Sequence, residues 1–221
     1  MTENTESGLW QNIRNNALNL GLIAILAAAA LAAVYVATKP SIIANQRAAQ
    51  LAALTQVMPT EYFDEELLKH PITLPAPEQL NLEPATIAYA AMLKGQLNGW
   101  VLPVISLDGY SGRIHMLVGI DIHGQVTGVR ITSHKETPGL GDKVDYQKST
   151  WVDGFIGSSL SSHRWAVKKD QGDFDQFTGA TITPRAVVQA VQSSLIYYKQ
   201  YQDELLAALN TNVNIASAED E

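Results

Sequence analysis

Residues 177–187 read FTGATITPRAV. Gly179 and Ala180 stand between hydroxyls at Thr178, Thr181 and Thr183, just ahead of Pro184. One reading is a strand-to-helix corner. Glycine relaxes the backbone, Ala180 packs, Thr183 serves as N-cap and Pro184 takes the first helical position. Val187, Val191, Leu195 and Tyr198 then follow at helical spacing, which predicts a helix with one apolar face running to about Leu209. The other reading is that one of these hydroxyls holds a ligand. The residues alone leave both open.

Upstream of this corner the pattern is that of a sheet. TIAYAAML from residue 86 is strand-like, KGQLNG reads as a turn, and WVLPVISL is a second apolar run with Pro103 hinting at an edge or a bulge. DGYSG (108–112) is a turn, and RIHMLVGID with QVTGVRIT predicts a hairpin turning at His123-Gly124. Val126, Val129 and Ile131 do not alternate cleanly, which suggests a bulge at Gly128. RWAVKK (164–169) reads as one more strand.

The N-terminal third has another character. Leu18–Ala37, LNLGLIAILAAAALAAVYVA, carries no charge and has about 20 residues, the length that spans a bilayer as a helix. A cleaved signal peptide is the competing reading. The run is longer than an ordinary signal core, and only Arg14 precedes it as a basic residue, so a retained anchor over 17–38 is expected, with 1–16 before it. Lys39 and Pro40 are expected to end that helix. Arg14 on one side and Lys39 and Arg47 on the other give no orientation by charge. Residues 39–85 read as a juxtamembrane helix followed by a proline-rich irregular connector, with a short helix near Glu65–Lys69. A domain over 86–210 and an acidic, disordered tail over 211–221 complete the division. The fold class is α+β: a single transmembrane helix, then an antiparallel sheet with flanking helices.

Composition removes several function classes. The 221 residues carry a formal charge of -7, against the basic stripe that nucleic acid requires. The absence of cysteine excludes thiolate clusters, disulfides and a cysteine nucleophile. The five histidines show no HxxxH or HExxH spacing, which argues against a histidine metal site.

Three longer strings extend the opening motif: DQFTGAT (175–181), HKETPGLGDK (134–143) and DGYSG. Together they resemble the FMN-binding domain of the G subunits of Rnf ion-translocating oxidoreductase complexes. The C subunit of the sodium-pumping NADH:quinone oxidoreductase is a near relative in that family. The resemblance runs through most of the chain, from the anchor through WAVKKDQGDFDQFTGATITPRAVV to the last helix.

That resemblance implies FMN bound covalently, its phosphate esterified to the last threonine of the TGAT string, here Thr181. It implies maturation by a separate flavin transferase that uses FAD and recognises Asp175, Thr178, Gly179, Ala180 and Thr181. In the ETPGLGD loop, Glu136, Thr137, Gly139 and Leu140 become candidates for the flavin ring, whereas by residue type alone the loop is an ordinary surface turn. Lys135 and Lys143 read as solvated and Trp151 and Trp165 as core. The implied role is an electron-transfer component of a membrane complex linking ferredoxin and NAD to ion movement, working with the other Rnf subunits. Its main domain would lie on the periplasmic side of a bacterial inner membrane, with no catalysis by the isolated chain. A single-pass scaffold protein without redox function is the alternative, and a membrane-bound flavin reductase a third.

Overall fold

The computed structural model describes residues 3–64 and 67–219. The chain forms two units, Met1–Ala49 and Gln50–Glu221. Helix α1 spans Glu3–Val57. Within it, Asn16–Val57 is long and apolar enough to cross a membrane. Side chains 16–50 are exposed throughout.

The expected break at Lys39–Pro40 does not occur, and Pro40 lies inside α1. A proline removes one backbone donor and crowds the carbonyl one turn earlier. Helix-favouring residues on both sides (Ala37, Ala44, Ala48, Ala49) carry the ladder past that gap. Thr38 Oγ1 also donates to the Val34 carbonyl at 2.8 Å.

In the second unit an antiparallel five-stranded meander runs β1-β2-β3-β4-β5. Its strands are β1 Pro71–Thr73, β2 Ile87–Leu93, β3 Gln96–Gly109, β4 Gly112–Asp121 and β5 Val126–Ser133. β1 lies in the segment read as irregular. It is a short edge strand, where a leading proline such as Pro71 is tolerated because one side needs no donor. The expected turn over 94–99 shrinks to Lys94-Gly95, both with positive φ, and β3 begins at once. Pro103 follows Val101, the last β3 residue in register with β2, so it sits where one ladder has ended. The His123-Gly124 turn forms as read, with Gly124 N–H donating to the Asp121 carbonyl. β5 is irregular at two places, and one lies next to the expected bulge: Gly119 pairs with Gly128 and Ile120 with Val126, leaving Thr127 as an extra residue.

Alternation divides the sheet into two buried faces. Trp100, Leu102, Val104, Ile114, Met116, Val118 and Ile120 share a core with Val187, Val188, Val191 and Leu195 of α2, Ile182–Glu219. Val101 and Ala91 point the other way, into a second cluster with Leu54, Val57, Met58 and Leu67. There the last turn of α1 meets a glycine notch. A β-carbon on Gly119 would fall 2.1 Å from the Val57 carbonyl oxygen, and one on Gly128 2.7 Å from Val57 Cα. Thr127 Oγ1 donates to that same carbonyl at 2.6 Å, satisfying one of the acceptors a helix end leaves free.

Two further expectations change. RWAVKK is not a strand: Lys168–Asp170 forms a 3-10 turn, and only Val167 bridges to Phe174. The loop bonds to itself instead, with Phe174 N–H donating to Ala166 and Lys168 N–H to Phe174. Arg164 grips Asp173 at 2.7 Å across its base. At the other end, α2 is helical to Glu219, with non-helical angles at Tyr201, where a disordered tail is expected from 211. Residues 210–219 contain no glycine or proline to stop it. Glu65 and Glu66, the start of the expected short helix, lie outside the described residues; Leu67–Lys69 is a 3-10 turn.

Candidate functional site

The corner at 177–181 is built by a tight turn. Ala180 N–H donates to the Phe177 carbonyl at 3.2 Å, with Thr178 and Gly179 between them. Gly179 has φ +85° and Thr178 does not share the positive φ, the pattern of a type II turn whose third position favours glycine. Beneath the corner lies a stack of rings. Phe177 meets Trp151 edge-on at 5.1 Å, Trp151 meets Phe155 at 5.3 Å, and Phe155 stacks on Phe174 at 4.7 Å. Trp151 Nε1 also donates to the Asp175 carbonyl at 2.9 Å. The segment from 134 to 181 has no strand of its own, and these rings pack together beneath it.

The first helical bond of α2 runs from Arg185 N–H to the Thr181 carbonyl, at 3.3 Å. Thr181 therefore occupies the cap position expected for Thr183. Thr183 lies in the first turn, 1% exposed, and Pro184 costs nothing there because its missing N–H belongs to the turn that has no intrahelical acceptor. The Thr183 hydroxyl donates to Glu136 Oε2. The other oxygen, Glu136 Oε1, accepts the Ser111 N–H at 2.9 Å, and Glu136 is 4% exposed.

The ETPGLG segment forms a compact loop around the Thr137 carbonyl, which accepts the N–H groups of Leu140, Gly141 and Asp142. Gly139 takes φ +77° at its tip. Gly141 must lack a side chain: its β-carbon would stand 2.7 Å from Thr183 Oγ1 and 2.9 Å from Glu136 Oε2. Leu140 lies over the corner, its Cδ2 3.3 Å from where a β-carbon on Gly179 would be.

These pieces enclose a cavity of about 290 Å³. Its lining brings together Glu136, Thr137, Leu140, Gly179, Ala180 and Thr181 of the expected residues. Gly139, Thr178 and Asp175 are not in the lining; Thr178 is exposed at the turn, and Asp175 pairs on the surface with Lys168 at 2.6 Å. Lys135 and Lys143 do not line it either. Gly141 of the glycine loop lines it too, with Tyr110, Ile182 and Thr183, which were not expected to touch the ligand. DGYSG carried the signal for Tyr110, and Thr183 was hidden behind its expected role as a cap.

The two threonines of the helix start differ chemically. Thr183 is buried and its hydroxyl is engaged. Thr181 is half-buried, lines the cavity, and its hydroxyl makes no hydrogen bond among the described residues. The first N–H groups of α2, at Ile182 and Thr183, have no intrahelical acceptor and lie at the cavity wall, where a helix start favours an anion. Tyr110, Leu140 and Ile182 add exposed apolar surface beside it. The arrangement offers a free threonine hydroxyl at the helix start, an anion-favouring helix end and apolar walls.

The FMN-binding domain family matches residues 109–196, which contain the whole cavity lining, and the RnfG N-terminal region matches residues 1–57. The chain is 46% identical over 196 residues to the G subunit of the ion-translocating oxidoreductase complex of Aliivibrio fischeri, covering 87% of this chain and 93% of that one. It is 44% identical to the protein of the same name from Pseudomonas aeruginosa over 89% of this chain and 94% of that one. The Shewanella loihica protein of that name shows 44% identity at the same coverage, 89% and 94%. With an anchor-length helix, an FMN-binding domain and this likeness over nearly its whole length, the chain belongs to the family of G subunits of ion-translocating oxidoreductase complexes.

Proposed function

We propose that this chain carries electrons within a membrane-bound ion-translocating oxidoreductase through an FMN esterified to Thr181. The observation that carries the attachment point is the contrast between the two threonines at the helix start: the Thr183 hydroxyl is taken by Glu136, and the cavity-lining Thr181 hydroxyl is free among the described residues. Relatives named as G subunits of such complexes support the assignment to a complex. The redox chemistry, electron gain and loss, belongs to the flavin when bound.

The chain's own residues attach, orient and enclose. On reaction with FAD, the Thr181 oxygen bonds to the phosphorus of the flavin half. The bond to the other phosphate breaks, AMP leaves, and the hydroxyl proton passes to solvent. A flavin transferase reads Asp175, Thr178, Gly179 and Ala180 on the exposed turn before the reacting residue. The Ile182 and Thr183 N–H groups then face the phosphodiester charge. Leu140, Ile182 and the loop at Glu136, Thr137 and Gly139 flank the ring. A cavity of about 290 Å³ lies near the lower limit for small-molecule sites, about 300 Å³, so part of the ring stays at the surface, within reach of a redox partner.

In this reading residues 1–16 are cytoplasmic and the sheet domain is periplasmic in a bacterial inner membrane. A covalent tether suits that side, because flavin lost there is not replaced from the cytoplasmic pool. The other subunits of the complex are the partners, with electrons moving between ferredoxin and NAD at the level of the assembly. Mass spectrometry of the tryptic peptide spanning Thr181, from cells that contain the transferase, tests the attachment. The expected result is a mass increased by one FMN less one water, localised to Thr181; an unmodified peptide refutes it.

A further inference from the structure

Glu136 joins all three segments of the cavity wall. It belongs to the 134–141 loop, it accepts from Ser111 N–H at the tip of the β3–β4 hairpin, and it accepts from Thr183 in the first turn of α2. Two glycines make room for it. A β-carbon on Gly109 would lie 3.0 Å from Glu136 Oε1, and one on Gly141 2.9 Å from Oε2. His134 Nδ1 accepts the Glu136 N–H at 3.1 Å, which fixes the backbone from which the carboxyl group reaches inward. Next to Ser111 stands Tyr110. It lines the cavity, yet it is 68% exposed and makes no hydrogen bond or ring contact among the described residues. A large ring left uncovered beside an apolar cavity is placed to stack on a flat aromatic ligand.

We propose that Glu136 is the positioning residue of this cavity: it ties the hairpin tip to the helix start, and so holds Tyr110 over the flavin ring. This rests on the flavin reading above. The two bonds from Glu136 have different consequences. Ser111 N–H fixes the hairpin tip directly. Thr183 fixes the carboxyl group that Ser111 needs. Loss of the carboxyl group frees the tip, and Tyr110 then leaves the ring.

Bound-flavin fluorescence reads this contact, because an electron-rich phenol stacked on a flavin quenches its emission. The measurement uses the full-length protein purified from membranes of transferase-containing cells, normalised to covalent flavin by absorbance. Tyr110→Leu is expected to raise the emission several-fold. Glu136→Ala is expected to raise it by a similar factor, and the double variant no further than either alone, because both remove the same contact. Glu136→Gln retains an oxygen for Ser111 and an N–H for the Thr183 oxygen, and should restore the quenched signal. If Glu136→Ala fails to accumulate, Thr183→Val removes one of the two ties and is expected to raise the emission partway. Effects of Glu136→Ala and Tyr110→Leu that multiply, or quenched emission in both Glu136→Ala and Thr183→Val, overturn the proposal and leave the flavin reading intact. A wild-type protein with no covalent flavin overturns both.

Discussion

Gly119 and Gly128 face each other across β4 and β5, and the Val57 carbonyl fills the space their missing side chains leave. One extra residue in β5, Thr127, turns its hydroxyl to that same carbonyl. A bulge and a glycine pair thus form a socket for the last turn of α1.

Gly119→Ala is expected to destabilise the domain by about 1–3 kcal/mol, the usual cost of forcing atoms into a packed site. The nearest obstacle is backbone, which cannot swing aside as a side chain can. Thr127→Val should cost about 1 kcal/mol through the lost hydrogen bond. Thermal melts of the purified protein in detergent measure both, and an unchanged midpoint in Gly119→Ala contradicts the socket.

Thr181→Ala should abolish covalent flavin and leave the melting temperature close to wild type, because its hydroxyl makes no bond. Thr183→Ala should keep covalent flavin and cost about 1–3 kcal/mol, because it strips a donor from a buried carboxyl group. Ultraviolet fluorescence of denaturing gels separates the two. A dark Thr183→Ala band beside a bright Thr181→Ala band would move the attachment site.

Gly179→Ala should lower flavin occupancy. Its φ of +85° disfavours any β-carbon, and that carbon would press on Leu140 at 3.3 Å. The strain is on the order of 1 kcal/mol, local to the turn a transferase must read. Occupancy is the ratio of flavin to protein absorbance, and an unaltered ratio counts against the turn as recognition element.

Acid should loosen the loop before α2. Arg185 hydrogen-bonds Asp170 and Arg164 hydrogen-bonds Asp173, and each pair holds its carboxyl group below the usual carboxylate range. A carboxyl lowered in the folded state stabilises it above the unfolded value of about 4, and that contribution disappears as pH falls through the folded value. The Asp170→Asn, Asp173→Asn double variant should therefore show a shallower fall in melting temperature between about pH 6 and pH 3. Parallel curves for variant and wild type would exclude these pairs as the acid-sensitive element.

The parts of this molecule written in short-range patterns were legible. Alternation at 113–121 and helical spacing at 187–198 gave the right elements, and the uncharged run at 18–37 gave the anchor-length helix. The TGAT and ETPGLG strings converge on one cavity. Illegible were features decided by contacts distant in sequence. RWAVKK has strand-forming residues, but the pairing of Arg164 with Asp173 folds it back on itself. Thr183 has the chemistry of an N-cap, and only the approach of Glu136, 47 residues earlier, reassigns its hydroxyl. Pro40 reads as a stop, but one lost hydrogen bond does not end a helix favoured on both sides.

The ring stack beneath residues 175–181 has a consequence for failure. Below the corner there is no strand of the sheet, and Trp151, Phe155, Phe174 and Phe177 lean on one another there. Truncating Trp151 would slacken this prop and leave the strand pairing of the meander standing. A lesion there is expected to cost flavin occupancy before it costs the sheet.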